Sequence, residues 1–370
     1  MEKVTIIGGG NGAFAAASDL TSRGNQVTLY EVPEFSASIK EVVAKGGIDL
    51  ECLPSNGLRG GFAEIYKITT DIAEAMAESQ IVMIIVPTYS IDTIIKLCAP
   101  HLRDGQIVCL CPANFGGSLY FHKCLKDMGI DKKIWIAEFA CMMYACRKTG
   151  PSSVWIRGYK HDLGVAIFPR KNSEPIFDRL QGLYPYIAKY NSMIETGLSN
   201  MNTTMHTSIM LMSSACIDNG GENRLFYREC VTPALDNILD KLNEERMNLT
   251  KLPGVKLPTL PQILQHWYTY QGAEGEKVSD LLHSLPIFAR SPLPTTLDHR
   301  YITEDVPFGL IPIAEFMDQY GFDHTFHTSL ANILCAICGR DFYKSARTMD
   351  QLGIRGMSIE RLMDYLDNGI

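Results

Sequence analysis

Six residues near the N-terminus constrain this chain more than any others: Gly8-Gly9-Gly10-Asn11-Gly12-Ala13. They follow a short apolar run, residues 3–8, that fits a buried parallel strand. Beyond them Ala13, Phe14, Ala16, Ala17 and Leu20 recur at helical spacing until Gly24-Asn25 ends the helix. Residues 26–31 read as a second strand. Strand, glycine turn, helix and strand in this order make the minimal dinucleotide-binding unit.

The loop fits G-x-G-x-x-A, and each small position has its own reason. Gly8 permits the tight turn, Gly10 lets the backbone approach a pyrophosphate, and Ala13 allows close helix–strand packing. The N–H groups at Asn11 and Gly12 open the helix and point at an anion. Glu31 follows 19 residues after Gly12. At the end of the second strand it is placed to accept hydrogen bonds from an adenosine ribose. No arginine follows it closely to hold a 2′-phosphate, so NAD is expected before NADP. No second flavin motif accompanies the loop, which disfavours FAD.

The alternation of strand and helix continues, with strands expected at 65–69, 81–86, 106–111 and 133–139 and helices at 71–78, 90–97 and 118–127. This predicts an α/β Rossmann-type, doubly wound parallel sheet. Val86-Pro87 closes one of its strands, at the carboxyl edge where the nicotinamide end of the cofactor belongs. The loop Cys111–Gly117 ends another strand and is expected to line the cofactor as well. Residues 153–157 and 161–168 read as two more strands, joined by a turn into an antiparallel edge.

Strand signals nearly vanish after residue 190. Helical periodicity then covers about 199–217, 222–249, 259–270, 276–283, 309–319, 325–339, 341–345 and 358–367, interrupted by ordered proline-rich loops at 252–261 and 286–294. Two domains are therefore expected, a cofactor domain over 1–190 and an all-helical substrate domain over 191–370. A chain of 370 residues suits two domains, and the cleft between them is the default site.

The net charge of −7 and the absence of any long basic run argue against nucleic acid as a partner. No apolar stretch reaches the ~20 residues of a membrane span. The first apolar run passes straight into the glycine loop with no basic leader, so a signal peptide is not expected. Eleven scattered cysteines read as reduced thiols, so a cytoplasmic location is expected. Cys335-x-x-Cys338 lies on an apolar helix and reads as core, and no metal site is expected.

Two constellations in the helical half carry chemistry. Asn202 and His206 are four apart on one helix and project from one face. Histidine titrates near neutral pH and suits acid–base work, although a core or surface histidine would look the same. The segment Asp298-His-Arg-Tyr-Ile-Thr-Glu-Asp-Val-Pro307 gathers an arginine, a histidine and several acids. Arg300 suits a carboxylate, and an acid can orient a catalytic histidine. A solvated charged loop is the bland alternative.

Taken together, the glycine loop, the segment Ala137-Glu138…Tyr144-Ala145-Cys146-Arg147, the Asn202-x-x-x-His206 helix and Arg300-Tyr301-x-Thr303-Glu304-Asp305-Val306-Pro307 resemble the octopine/nopaline (opine) dehydrogenase family over essentially the whole chain. Met143 stands where the family often has proline. The resemblance implies NAD(P)H-dependent reductive condensation of an amino acid with a 2-oxo acid such as pyruvate, and the reverse oxidation. It implies His206 as the catalytic acid–base group, Asp305 as its partner, and Asn202 and Arg300 as substrate contacts. A homodimer is compatible with this reading.

Two other readings compete. Another two-domain reductase of a 2-oxo acid or a phosphorylated substrate would want a catalytic lysine, and Lys241, Lys251 and Lys256 lack a supporting motif. A non-catalytic NAD-binding sensor would need the glycine loop but not the His–Asp–Arg set.

Overall fold

The computed structural model describes residues 1–220 and 223–370. Among the described residues there are twelve strands: β1 (Lys3–Ile7), β2 (Gln26–Tyr30), β3 (Gly47–Cys52), β4 (Gly61–Glu64), β5 (Lys67–Thr69), β6 (Ile81–Ile84), β7 (Ile107–Leu110), β8 (Trp135–Phe139), β9 (Tyr144–Gly150), β10 (Ser153–Tyr159), β11 (Leu163–Phe168) and β12 (Ile187–Lys189). Eight form one sheet in the order β12-β11-β8-β7-β6-β1-β2-β5. The run from β5 to β8 is parallel, and β11 joins β8 antiparallel. The chain enters this sheet at β1, moves outward to β2 and β5, then crosses back to β6 on the other side. The gap between the ends of β1 and β6 is therefore the topological switch point, where ligands bind in such sheets.

The central strands read as apolar runs because both faces are covered. All four residues of β6 and all four of β7 are buried. Each such aliphatic side chain stabilises the fold by about 1.5–3 kcal/mol relative to exposure.

A second sheet, absent from the expectation, has the order β4-β3-β10-β9. It packs on the helix Asn11–Ser22, which also lies against β1 and β2. That helix is thus enclosed between two sheets, and its residues 13–20 are all buried. This explains its alanine-rich sequence: a helix covered on both sides needs small residues all round.

The expected antiparallel edge is corrected here. β10 and β11 do not pair with each other. β10 pairs with β9 and β3 in the small sheet, whereas β11 pairs with β8 and β12 in the large one. Gly158 and Tyr159, expected in a turn, still belong to β10, and the chain passes between the sheets at Lys160–Asp162 rather than folding into a hairpin.

From Met193 onward the described residues form helices, with one isolated bridge between Leu225 and Pro292. The stretch expected as one helix over 199–217 holds two, Met201–Met212 and Ser214–Asp218, and a separate helix, Met193–Leu198, precedes it. Asn200 caps Met201–Met212, its side chain accepting from the Asn202 N–H. The helix expected over 222–249 begins at Pro233, and position 222 lies outside the described residues. A proline at the first helical position suits this later start. The chain end returns to the first half: Arg170 pairs with Asp367 at 2.5 Å, and Tyr365 packs edge-on against Phe168. No helix among the described residues is long and apolar enough to cross a membrane.

Candidate active site

The glycine loop lies at the switch point. Gly8 has φ +126°, and a Cβ there would stand 2.5 Å from the Ile85 carbonyl oxygen at the end of β6. Only glycine tolerates both demands. Gly10 precedes the helix Asn11–Ser22, whose first turn receives no side-chain cap and holds no acid. A Cβ on Gly10 would meet nothing within 4 Å. Open space before free N–H groups fits the pyrophosphate of a dinucleotide. Gly12 packs close to Met142 and Ile85, and Ala13 is fully buried. Val86 is half-buried, and Pro87 leads from β6 into the turn Thr88–Ser90.

Glu31 ends β2 and is 8% exposed. It accepts from the Val32 N–H at 2.9 Å and from the Ser38 hydroxyl at 3.1 Å. Burial pushes its carboxyl above the usual range, against the pull of those donors and of Lys148. Lys148, on β9, was not anticipated. Its ammonium donates to the Ser38 carbonyl at 3.1 Å and lies 3.7 Å from the Phe14 ring centre. Its backbone N–H bonds the Asn11 side chain at 2.8 Å, which fastens the small sheet to the glycine loop.

His206 lies in the middle of the helix Met201–Met212 and is 6% exposed, as is Asp305. The His206 Nδ1 is 2.9 Å from Asp305 Oδ2, and its Nε2 is 2.8 Å from the Tyr227 hydroxyl. Tyr301 stacks on the imidazole with centroids 3.9 Å apart, and Phe226 meets it edge-on. The ring is thus held in plane and in direction. Asp305 opens directly into a π-helical turn, Val306–Leu310, an irregularity frequent at functional sites.

Arg300 pairs with Glu304 at 2.8 Å, its own side chain about half exposed and that of Glu304 buried. Burial works against its charge, yet Glu304 and Asp305 raise its already high pKa. His299 is pushed down to about 4 by burial and by neighbouring His206, Arg300 and Arg147. It is therefore neutral near pH 7. Its Nδ1 accepts from the Tyr301 N–H and caps the helix Arg300–Thr303. Asn202 is half-buried on the first turn of the His206 helix, and among the described residues its side-chain amide has no hydrogen-bond partner.

A buried hydrogen-bonded line joins the two halves. Glu304 accepts from the Thr88 N–H and hydroxyl, both at 2.9 Å. Asn114 donates to Thr88 and accepts from Asn200, both at 2.6 Å. Thr88 directly follows Pro87, and Glu304 directly precedes Asp305. This line therefore sets the His206–Asp305 pair beside the end of β6, next to the glycine loop. The loop Cys111–Gly117, expected to line a cofactor, is tied into this joint: Arg347 also donates to its Ala113 and Phe115 carbonyls.

A cavity of about 550 Å³ lies elsewhere, among Asp218, Asp298, Thr303, Cys338, Arg340 and Phe342. Cys335 and Cys338 are half-buried on the helix Thr325–Cys338 and pack against the core. All eleven cysteines are free.

The sequence missed Tyr227, Thr88, Asn200 and Lys148, and it named Asn114 only as part of a loop expected to line the cofactor, not as a link between the halves. Tyr227 and Asn200 lay within stretches read as continuous helix. The Asn200 cap is legible as an Asn just before an apolar helical run.

Comparison with known proteins agrees with this architecture. A family model described as the alpha-helical domain of NAD/NADP octopine/nopaline dehydrogenase matches residues 189–338. The N-terminal model of NAD-dependent glycerol-3-phosphate dehydrogenase matches residues 3–112. The chain is 26% identical over 354 residues to an opine dehydrogenase of Arthrobacter sp. (strain 1C), covering 95% of each. It is 23% identical over 369 residues to a vitopine synthase of Allorhizobium ampelinum, covering 99% of each. Among solved structures, an octopine dehydrogenase in complex with NADH and agmatine shares the fold, with TM-score 0.81 at 17% identity, over 100% of this chain and 98% of that one. The chain thus joins an N-terminal half that matches an NAD-dependent dehydrogenase model to a helical half that matches the octopine/nopaline dehydrogenases, and it is similar to opine dehydrogenases over nearly its whole length.

Proposed function

We propose that this protein is an opine dehydrogenase: it condenses the amine of an amino acid with a 2-oxo acid such as pyruvate, reduces the product to an N-(carboxyalkyl) amino acid, and catalyses the reverse oxidation. Residues 1–190 serve the cofactor and residues 191–370 the substrates. NAD is the cofactor, with NADP accepted less well because Glu31 occupies the place where a 2′-phosphate would sit. The reading gives the chain two small-molecule substrates and a cytoplasmic location, the latter supported by its free cysteines.

The observation that carries the reading is the His206–Asp305 pair, fixed beside the end of β6 by the Glu304–Thr88 contact. The amine attacks the keto carbon, and a carbinolamine forms. Water must then leave to give the C=N bond. Both steps move protons at nitrogen or oxygen, and His206 carries them near neutral pH. Asp305 accepts the Nδ1–H, fixes the tautomer, and stabilises the imidazolium when it forms. When bound, the reduced nicotinamide supplies the hydride that reduces the C=N bond. Arg300 has donors beyond those given to Glu304 and can clamp a substrate carboxylate in bidentate fashion. Asn202, one turn before His206, offers an amide to the substrate's polar groups. The helical half shields the C=N bond from water.

The test is the His206→Gln variant. It should bind NADH with unchanged affinity, followed by fluorescence, and lose about 10²–10⁴-fold in kcat for condensation. Turnover at the unaltered rate would remove His206 from the mechanism.

A further inference from the structure

With Asp305 on Nδ1, the only ring nitrogen of His206 left to exchange a proton is Nε2. That nitrogen does not face open space. It faces the hydroxyl of Tyr227 at 2.8 Å, and both residues are buried, 6% and 7% exposed. Tyr301 covers one face of the imidazole, and Phe226 approaches its edge. Phe226 and Phe288 hold the Tyr227 ring, each with centroids 4.8 Å away. A proton that leaves or reaches Nε2 along this hydrogen bond therefore meets the Tyr227 oxygen first.

A tyrosine hydroxyl has one proton to give and two lone pairs to receive with. Burial pushes this phenol well above its ordinary value, so it stays protonated at working pH. It can donate its proton to neutral His206 while accepting another, a property neither a phenylalanine nor a phenolate shares.

We propose that Tyr227 is the proton carrier between His206 and the reacting atoms of the substrate. The inference rests on His206 as the acid–base group and adds the path its proton takes. In condensation, protonated His206 gives its Nε2 proton to the Tyr227 oxygen. Tyr227 passes its own proton to the hydroxyl of the carbinolamine. The C–O bond breaks, the nitrogen lone pair forms the C=N bond, and water leaves with the delivered proton. His206 ends neutral and Tyr227 ends as it began. In oxidation the order reverses: water gives a proton to Tyr227 as its oxygen attacks the C=N carbon, and Tyr227 gives its proton to His206. Two protons move in one step, each over a hydrogen bond, and no charge settles on the phenol.

The experiment compares wild type, Tyr227→Phe and His206→Gln in both directions, with rates measured across mixtures of light and heavy water. Tyr227→Phe keeps the ring and its packing, and thermal melting and NADH titration report that it is folded and loaded. The expected result is a kcat lowered about tenfold to a hundredfold, an unchanged KM for NADH, and a solvent-isotope dependence that turns from curved, for two protons in flight, to linear. Wild-type kcat with a curved dependence would overturn the proposal. A raised kcat would overturn it too, by showing that the hydroxyl merely blocks Nε2. Both results leave His206→Gln inactive, whereas an active His206→Gln would strike at the acid–base reading itself.

Discussion

Gly309 and Thr203 touch: a Cβ on Gly309 would fall on the Thr203 side chain, 2.7 Å from its methyl carbon. Thr203 lies one turn before His206, and Gly309 one turn after Asp305. The contact therefore sets how closely the two backbones that carry the pair approach. Gly309→Ala should push them apart, cost about 1–3 kcal/mol of stability as an overpacked site, and lower kcat at least tenfold. The double variant Gly309→Ala/Thr203→Ala removes the obstructing hydroxyl and methyl and should regain part of both. Melting curves and kcat check this. A Gly309→Ala enzyme with full activity would mean that the approach does not govern the pair.

The joint between the halves makes a second expectation. Glu304→Ala leaves the buried Thr88 N–H and hydroxyl without their acceptor and frees Arg300. Loss of a buried partner costs about 1–3 kcal/mol. The variant should melt several degrees lower, and KM for the carboxylate substrates should rise more than KM for NADH. Equal effects on all three KM values would argue that Arg300 does not hold a substrate carboxylate.

These two contacts mark where the sequence was legible and where it was not. The first strand–helix–strand unit was readable because strand, turn and helix each carry local signals and these agree. The small sheet was not. In Gly47–Cys52 only Ile48 and Leu50 alternate inward among acids, and Tyr144–Gly150 holds Arg147, Lys148 and Thr149. Short, partly polar strands of that kind gain their stability from a helix packed on them, which local pattern does not reveal. His206 and Asp305 are 99 positions apart, so no spacing rule joins them; the family resemblance did. Tyr227 escaped for the opposite reason, since its aromatic neighbours read as ordinary helical core. A chain of charge −7 that takes anionic ligands needs local positive features, and the sequence offers one at the helix start at Asn11. The structure adds Lys148, brought there by the sheet that the sequence did not show.

Glu31 should decide between cofactors. Its carboxylate is held by Val32 and Ser38, so a 2′-phosphate would meet a fixed negative charge. Glu31→Ser should raise the ratio of kcat/KM for NADPH over NADH about tenfold or more, chiefly by weakening NADH and relieving repulsion of NADPH. An unchanged ratio would place the selecting group elsewhere.

The fold also carries an acid-sensitive tie. Glu245 accepts from the His327 ring at 2.7 Å and from the Phe326 and His327 N–H groups at 2.6 and 3.0 Å, which caps the helix Thr325–Cys338. Burial opposes its charge, but these donors prevail and hold its carboxyl below the ordinary value. A lowered carboxylate pKa stabilises the fold above the unfolded value, about 4.3, and that contribution is lost as pH falls through the folded value. Glu245→Gln should therefore melt below wild type at pH 7, with the gap closing as pH drops beneath about 4. A gap constant from pH 7 to pH 3 would show that the charge of Glu245 contributes nothing.

The most direct test of the account is co-substrate dependence. NADH loss is followed with pyruvate alone, with each of a panel of amino acids alone, and with both together, and products are weighed by mass spectrometry. Reductive condensation predicts NADH loss only when both are present. The product mass should equal amino acid plus oxo acid, less one water, plus two hydrogens. NADH loss with pyruvate alone, yielding the 2-hydroxy acid, would make the protein a simple reductase and contradict the account.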